Sequence, residues 1–247
     1  MWQQYPEPEK SILGSTMKAY CAILAGGTGV RMGGDTPKQF LMLNDAPIIV
    51  HTVRRILSFN LFERLVVVVH PQWKDFFLSL AHKYDIAFNR IVVTHGGADR
   101  IDSIKNALSA LRSMRNADDK DIVVVHDAVR PFVSREIMAS SVNCAAEHGA
   151  CVATVPAADT ILEVEDGVVV SVPTRSRLFL GQAPDSAQIS ILEKALESLT
   201  EDERRAITGT AQILTLKGIR VHTISGDVRN IKITTASDME LAKRFMI

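Results

Sequence analysis

Short, continuously apolar runs alternate along this chain with longer stretches in which apolar residues recur every three or four positions. Val66-Val67-Val68-Val69 and Ile122-Val123-Val124-Val125 have no polar face, which suits strands covered on both sides. The runs predict strands at Ala19–Ala25, Arg64–His70, Arg90–Thr94, Asp121–His126, Ala150–Pro156 and Ile219–Ile224. Between them, helical periodicity predicts helices over Pro47–Phe59, Gln72–Tyr84, Ile101–Met114, Arg135–His148, Ile189–Leu199, Asp202–Lys217 and Ser237–Met246. Such alternation implies an α/β fold, a mostly parallel sheet flanked by helices. One segment breaks the rhythm. Thr160–Val172 places two β-rich halves around Asp166-Gly167, a strong hairpin signal, and it is either a surface hairpin or an arm that needs a partner surface.

A chain of 247 residues is long enough for one large domain of this class, and no repeat or low-complexity tract divides it. Residues 17–247 are expected to form a single domain. Residues 1–16 carry Trp2, Pro6, Pro8 and several charges without an apolar signal core, and read as a poorly ordered extension with Met17 a candidate start. Acidic and basic residues number 28 each, so no net field favours nucleic acid or an anionic membrane, and any phosphate binding must be local. Cys21, Cys144 and Cys151 lack metal-type spacing, and Cys21 and Cys151 fall on predicted strands as buried residues. With no apolar run near the ~20 residues of a membrane span, a cytoplasmic protein is expected.

The chemistry is concentrated after the first strand. Leu24-Ala25-Gly26-Gly27-Thr28-Gly29-Val30-Arg31-Met32-Gly33-Gly34 leads into Thr36-Pro37-Lys38-Gln39. A loop there lies at the carboxyl edge of a parallel sheet, where such sheets bind ligands. Glycines let backbone N–H groups close around phosphate oxygens, and Arg31 and Lys38 add two permanent charges. A dinucleotide fingerprint fails because Met32 stands where its third glycine belongs, and a Walker A loop fails because Gly34 is followed by Asp35.

These residues are similar to the signature of nucleotidyltransferases that activate sugars and polyols. Further runs sharpen the likeness: Gly96–Ser103 (GGADRIDS), His126–Phe132 (HDAVRPF), Asp159-Thr160, Gly181–Pro184 (GQAP) and Asn230–Thr234 (NIKIT). Together they resemble the family of 2-C-methyl-D-erythritol 4-phosphate and ribitol-5-phosphate cytidylyltransferases, from about Lys18 to the C-terminus. The resemblance implies a Rossmann-like nucleotidyltransferase fold with a protruding β-hairpin arm at about 159–175, and a homodimer formed through that arm. It implies CTP and a small polyol phosphate as partners, with no nucleic acid or membrane. An acceptor phosphate oxygen attacks the α-phosphorus of CTP and pyrophosphate leaves. Because the nucleophile is already an anion, positioning and electrostatic stabilisation carry the reaction and no general base is needed.

By the same resemblance Arg31 and Lys38 are catalytic. Leu24, Ala25, Gly26, Gly27, Gly29, Gly97, Arg100, Ser103, Asp127 and Ala128 bind the nucleotide, and Asp127 also holds Mg²⁺ or another divalent cation. Arg130, Thr160, Arg175 and Lys232 bind the acceptor, with Thr160 and Arg175 completing a neighbouring subunit's site. Lys232 lies between two β-branched residues, an alternation that would aim its cation to one side of a strand.

Two positions depart from the family. Ala183-Pro184-Asp185 replaces a usual Thr-Pro-Gln, and Thr208-Gly209 replaces a Thr-Asp whose carboxylate belongs near the metal. Asp127 then carries the metal alone, or Asp185 compensates. Gly181-Gln182, the Leu199–Arg205 stretch and the His126–Phe132 run lean the acceptor reading toward ribitol 5-phosphate, with 2-C-methylerythritol 4-phosphate of isoprenoid biosynthesis as the alternative. A different class of reading, an inactive nucleotide-binding paralogue, is favoured only by the missing aspartate. A molybdenum-cofactor-type guanylyltransferase shares the first motif and lacks the downstream runs.

Overall fold

The computed structural model describes residues 17–27, 36–114 and 117–246. In chain order these form β1 (Ala19–Ala25), β2 (Met42–Leu43), β3 (Ala46–Pro47), α1 (Ile48–Ser58), β4 (Arg64–Val69), α2 (Lys74–Lys83), β5 (Ile91–His95) and α3 (Arg100–Ser113). There follow β6 (Ile122–Asp127), α4 (Arg135–His148), β7 (Ala150–Pro156), β8 (Glu163–Glu165), β9 (Val168–Ser171) and β10 (Phe179–Gln188). The chain continues through α5 (Ile189–Glu197), α6 (Glu201–Ala206), α7 (Thr210–Leu216), β11 (His222–Ser225) and α8 (Ala236–Phe245).

Seven strands make one sheet in the order β11-β7-β10-β6-β1-β4-β5, parallel except for β10, which runs antiparallel to both neighbours. Successive residues of the central strands face opposite layers. Ile23, Val67 and Val124 join α1, α2 and α4 in one core, while Ala22, Val66, Val68 and Val123 join α3, α5 and α7 in the other. That two-sided burial is why the valine runs have no polar face. The helices are stopped by local chemistry. Ser134 Oγ accepts from Ile137 N (3.2 Å) at the start of α4, and Gly149 ends it at φ 89°, a conformation that favours glycine. Asp166 (φ 47°) and Gly167 (φ 81°) turn the β8–β9 hairpin, as the Asp-Gly signal predicts.

Two elements differ from the sequence expectation. β10 is a ten-residue strand where none is predicted, because its GQAPDSAQ run neither alternates nor avoids proline. It admits Pro184 through a register shift between Gln182 and Asp185. The single helix expected over Asp202–Lys217 is two, α6 and α7, broken at Ile207–Gly209. The extension 1–16 lies outside the described residues, and all three cysteines are free, Cys21 and Cys151 fully buried.

Candidate active site

β1, β4, β5 and β6 all end at one edge, and the segments that follow them enclose a cavity of about 510 Å³. Its floor is the start of the glycine loop. Gly26 and Gly96, following β1 and β5, meet backbone to backbone over the end of β4. A Cβ on Gly96 would lie 3.0 Å from Gly26 Cα, and one on Gly26 would lie 3.1 Å from Ser103 Oγ. A Cβ on Gly97 would come within 2.1 Å of Asp102 Cβ, so only glycine lets this loop fold onto α3. The loop is then held by hydrogen bonds. Ser103 Oγ accepts from Gly97 N (3.1 Å) and donates to Asp99 O (2.8 Å), and Asp99 Oδ1 caps α3 by accepting from Asp102 N (2.7 Å). Ser103, a helix-start residue, is thus a brace of the loop as well as part of the cavity wall.

Lys38 lines the cavity from a single 3₁₀ turn, Lys38–Phe40. The next residue, Gln39, is buried and its Nε2 donates to Ala25 O and Gly27 O, both at 2.9 Å. One amide group therefore ties the first turn of the glycine loop to the lysine. Gly29 and Arg31 lie outside the described residues.

Asp127, the last residue of β6, is the charge centre. Its carboxylate meets Arg100 (3.0 Å) on one oxygen and Lys232 (3.0 Å) and Arg130 (3.4 Å) on the other. Burial opposes ionisation there, and the three cations more than offset it, holding the carboxyl well below the usual range. Arg130 is fixed in turn by donating to Asn230 O (2.7 Å). The 230–234 segment is no strand, contrary to the alternation argument. It is joined through Ile233 N to Val129 O (2.9 Å), with Ile233 buried and Lys232 Nζ facing Asp127. His126, beside Asp127, is fully buried, and burial pushes it down to about 4, so it stays neutral and takes no part in the cluster's charge.

Asp185 is a residue whose place the sequence left open. It is buried on β10, 3.7 Å from the Arg100 guanidinium, which thus stands between two carboxylates. Asp185 does not line the cavity, whereas Thr208 does, beside the side-chain-free Gly209. Leu24, Ala25, Gly26, Gly27, Gly97, Arg100, Ser103, Asp127 and Ala128 all reach the cavity wall, with Ala128 N donating to Leu24 O (3.1 Å). Thr160 and Arg175 do not; both are exposed at the base of the hairpin, where Arg175 donates to Ala158 O (3.2 Å). Gln39, His70 and Asp99 belong to the site without a sequence argument for them. The only signal was adjacency to Lys38 and to the two strand ends.

The arrangement suits a polyanion: the glycine loop, Lys38, Arg100, Asp127 and Lys232 line one cavity, and Arg130, outside that lining, pairs with Asp127. A family model for 2-C-methyl-D-erythritol 4-phosphate cytidylyltransferase, IspD, matches residues 20–247. The chain belongs to the IspD family. It is accordingly a CTP-dependent cytidylyltransferase. It is similar to a solved 4-diphosphocytidyl-2C-methyl-D-erythritol synthase, at 26% identity and TM-score 0.77, covering 94% of this chain and 99% of that one. The Francisella tularensis cytidylyltransferase is 28% identical, with TM-score 0.76 over 93% of this chain and 100% of that one. The Thermus thermophilus enzyme is 25% identical, with TM-score 0.68 over 93% of this chain and 98% of that one. No described helix is long and apolar enough to cross a membrane.

Proposed function

We propose that this IspD-family chain transfers CMP from CTP to 2-C-methyl-D-erythritol 4-phosphate and releases pyrophosphate. The observation that carries the reading is the convergence of Arg100, Arg130 and Lys232 on Asp127, in the wall of a cavity that Lys38 and the glycine loop also line. The names of the family and of its solved relatives support this acceptor. The lean toward ribitol 5-phosphate drawn from Gly181-Gln182, Leu199–Arg205 and His126–Phe132 finds no support in them, and Gln182 instead braces the fold by donating to Asp227 O (3.0 Å).

The residues act by position and charge. Loop amides and Lys38, with Arg31 by resemblance, hold the triphosphate and stabilise negative charge growing on the α-phosphoryl group. Arg130 and Lys232 receive the acceptor phosphate. They draw a second anion toward the first and offset the repulsion between them. No described group is placed as a general base, and a phosphate nucleophile needs none.

Among the described residues no three His, Cys, Asp or Glu side chains come together to cage a metal. An ionised carboxylate on the cavity wall nevertheless fits Mg²⁺, which takes one or two protein oxygens and completes its shell with phosphate and water. Asp127 would hold it, and the ion would neutralise charge on the departing pyrophosphate. Asp185 faces Arg100 from behind and is no ligand in this reading.

A homodimer is proposed through the hairpin. Val164, Val168, Val169, Val170 and Val172 are each at least half exposed, and a two-stranded ribbon with apolar side chains in water is marginal alone. Thr160 and Arg175 at its base would then serve the partner's acceptor pocket. Three free thiols fit a reducing, cytoplasmic setting.

The decisive experiment measures pyrophosphate release with Mg²⁺ and CTP, with 2-C-methylerythritol 4-phosphate and ribitol 5-phosphate in parallel. Rapid release with the first and at least tenfold slower release with the second is expected. The reverse preference overturns the acceptor assignment.

A further inference from the structure

α6 has no counterpart in the chemistry described so far, yet it is built firmly onto the cavity. Thr200 and Glu203 close a capping box at its start, and Glu203 also binds Lys217 Nζ (2.6 Å). The next residue, Arg204, reaches back across about a hundred residues of sequence. Its Nη2 donates to Asp99 Oδ2 (2.9 Å) and to Asp102 Oδ1 (2.8 Å). Those carboxylates flank Arg100 at the first turn of α3, and without a cation between them they would repel.

We propose that Arg204 is a positioning residue for the nucleotide loop, setting the affinity for CTP without touching it. The inference rests on reading the cavity as the CTP site. Asp99 makes two commitments at once: one carboxylate oxygen caps α3 at Asp102 N, and the other is held by Arg204. Its backbone oxygen accepts from Ser103 Oγ, which in turn accepts from Gly97 N at the cavity wall. Arg204, Asp99, Ser103 and Gly97 thus form a continuous chain of hydrogen bonds from α6 to the ligand surface. The same helix leads directly to Thr208, which lines the cavity. Arg204 therefore fixes the spacing between two walls, the Gly97–Ser103 loop and Thr208. Exposed ion pairs add little to global stability, so the value of this one lies in loop geometry.

The test compares wild type, Arg204→Met, Arg204→Lys and the double variant Arg204→Met/Asp102→Asn by calorimetric titration with CTP and MgCl₂, and by steady-state kinetics. Arg204→Met is expected to weaken CTP binding and raise its KM at least tenfold, with kcat at saturating CTP within threefold of wild type. Arg204→Lys keeps a cation between the carboxylates and should stay within threefold throughout. The double variant removes the repulsion together with the cation and should recover most of the lost affinity, a rescue that a merely structural arginine would not show. Should Arg204→Met fail to fold, Arg204→Gln, which loses the charge and keeps most of the volume, takes its place with the same expected loss. Unchanged CTP affinity in the single variants Arg204→Met or Arg204→Gln, no recovery in the double variant, or a fall in kcat without a rise in KM overturns the proposal. Wild-type protein that fails to bind CTP overturns instead the reading of the cavity.

Discussion

On the side of the cavity proposed for the nucleotide, Gly26 and Gly96 approach backbone to backbone, Gln39 and Ser103 are buried, and each loop is held by its own hydrogen bonds. On the side proposed for the acceptor, the chain supplies Arg130 and Lys232, while Thr160 and Arg175 stand in solvent at the foot of an exposed, valine-rich hairpin. Under the proposed roles, the contrast is between a site finished within one chain and a site left half-built. CTP binding should accordingly be independent of protein concentration, whereas turnover depends on assembly.

The sharpest probe of the finished side is Lys38→Ala. Removing a cation aimed at developing charge costs about 3–4 kcal/mol of barrier, so kcat should fall on the order of 10²–10³-fold in a pyrophosphate-release assay. An effect confined to KM would mean that the lysine only holds substrate. Gly97→Ala comes next. A Cβ 2.1 Å from Asp102 Cβ forces the loop off α3, and CTP affinity measured by titration should drop at least tenfold. An unaffected variant would mean that the tight fold of this loop is not needed by the nucleotide.

The half-built side is broken by Val168→Lys/Val170→Lys, two substitutions on one face of β9. Light scattering should show monomers and the acceptor KM should rise about tenfold, with CTP titration unchanged. Loss of CTP binding in that variant would erase the distinction between the two sides.

The smallest effect concerns Asp185, behind Arg100. Burial, opposed by Arg100, raises its carboxyl to about 6. The folded chain therefore binds this proton more tightly than the unfolded chain, whose carboxyl titrates near ~3.9. Asp185's contribution to stability is full below about pH 4 and is lost as pH rises through about 6. His126 is shifted the other way, down to about 4, so its contribution grows over an overlapping range and partly masks the first. Asp185→Asn isolates the first term. It should raise stability at pH 7.5 by about 1–2 kcal/mol, less than the pKa shift alone implies because Arg100 loses a charged partner. The advantage over wild type should vanish by about pH 4 in thermal melts.

Much of the scaffold was legible in the chain. Strands β1 and β7 and helix α4 match the expected spans to the residue, because two-sided burial and a Ser–Gly cap pair leave local signals. β10 was not legible, since a strand wedged antiparallel between two parallel ones is fixed by its neighbours and tolerates Pro184 only through a shifted register. The motifs placed Lys38, Arg100, Asp127 and Lys232 at one sheet edge, and the fold gathers them around one cavity. What escaped was pairing across long separations: Arg204 with Asp99, Asp185 with Arg100, and the Gln39 amide that latches the glycine loop. No periodicity or motif encodes such pairs.

The central strand has a consequence for how the molecule is made. β1 lies between β4 and β6, and its pairing of Ala19 with Ile122 cannot form until more than a hundred residues have been synthesised. Lys232, the last of Asp127's three cations in chain order, follows it by about a hundred residues. Until that lysine has emerged, then, the cavity lacks part of its lining, and the nascent valine strands must be shielded by other means.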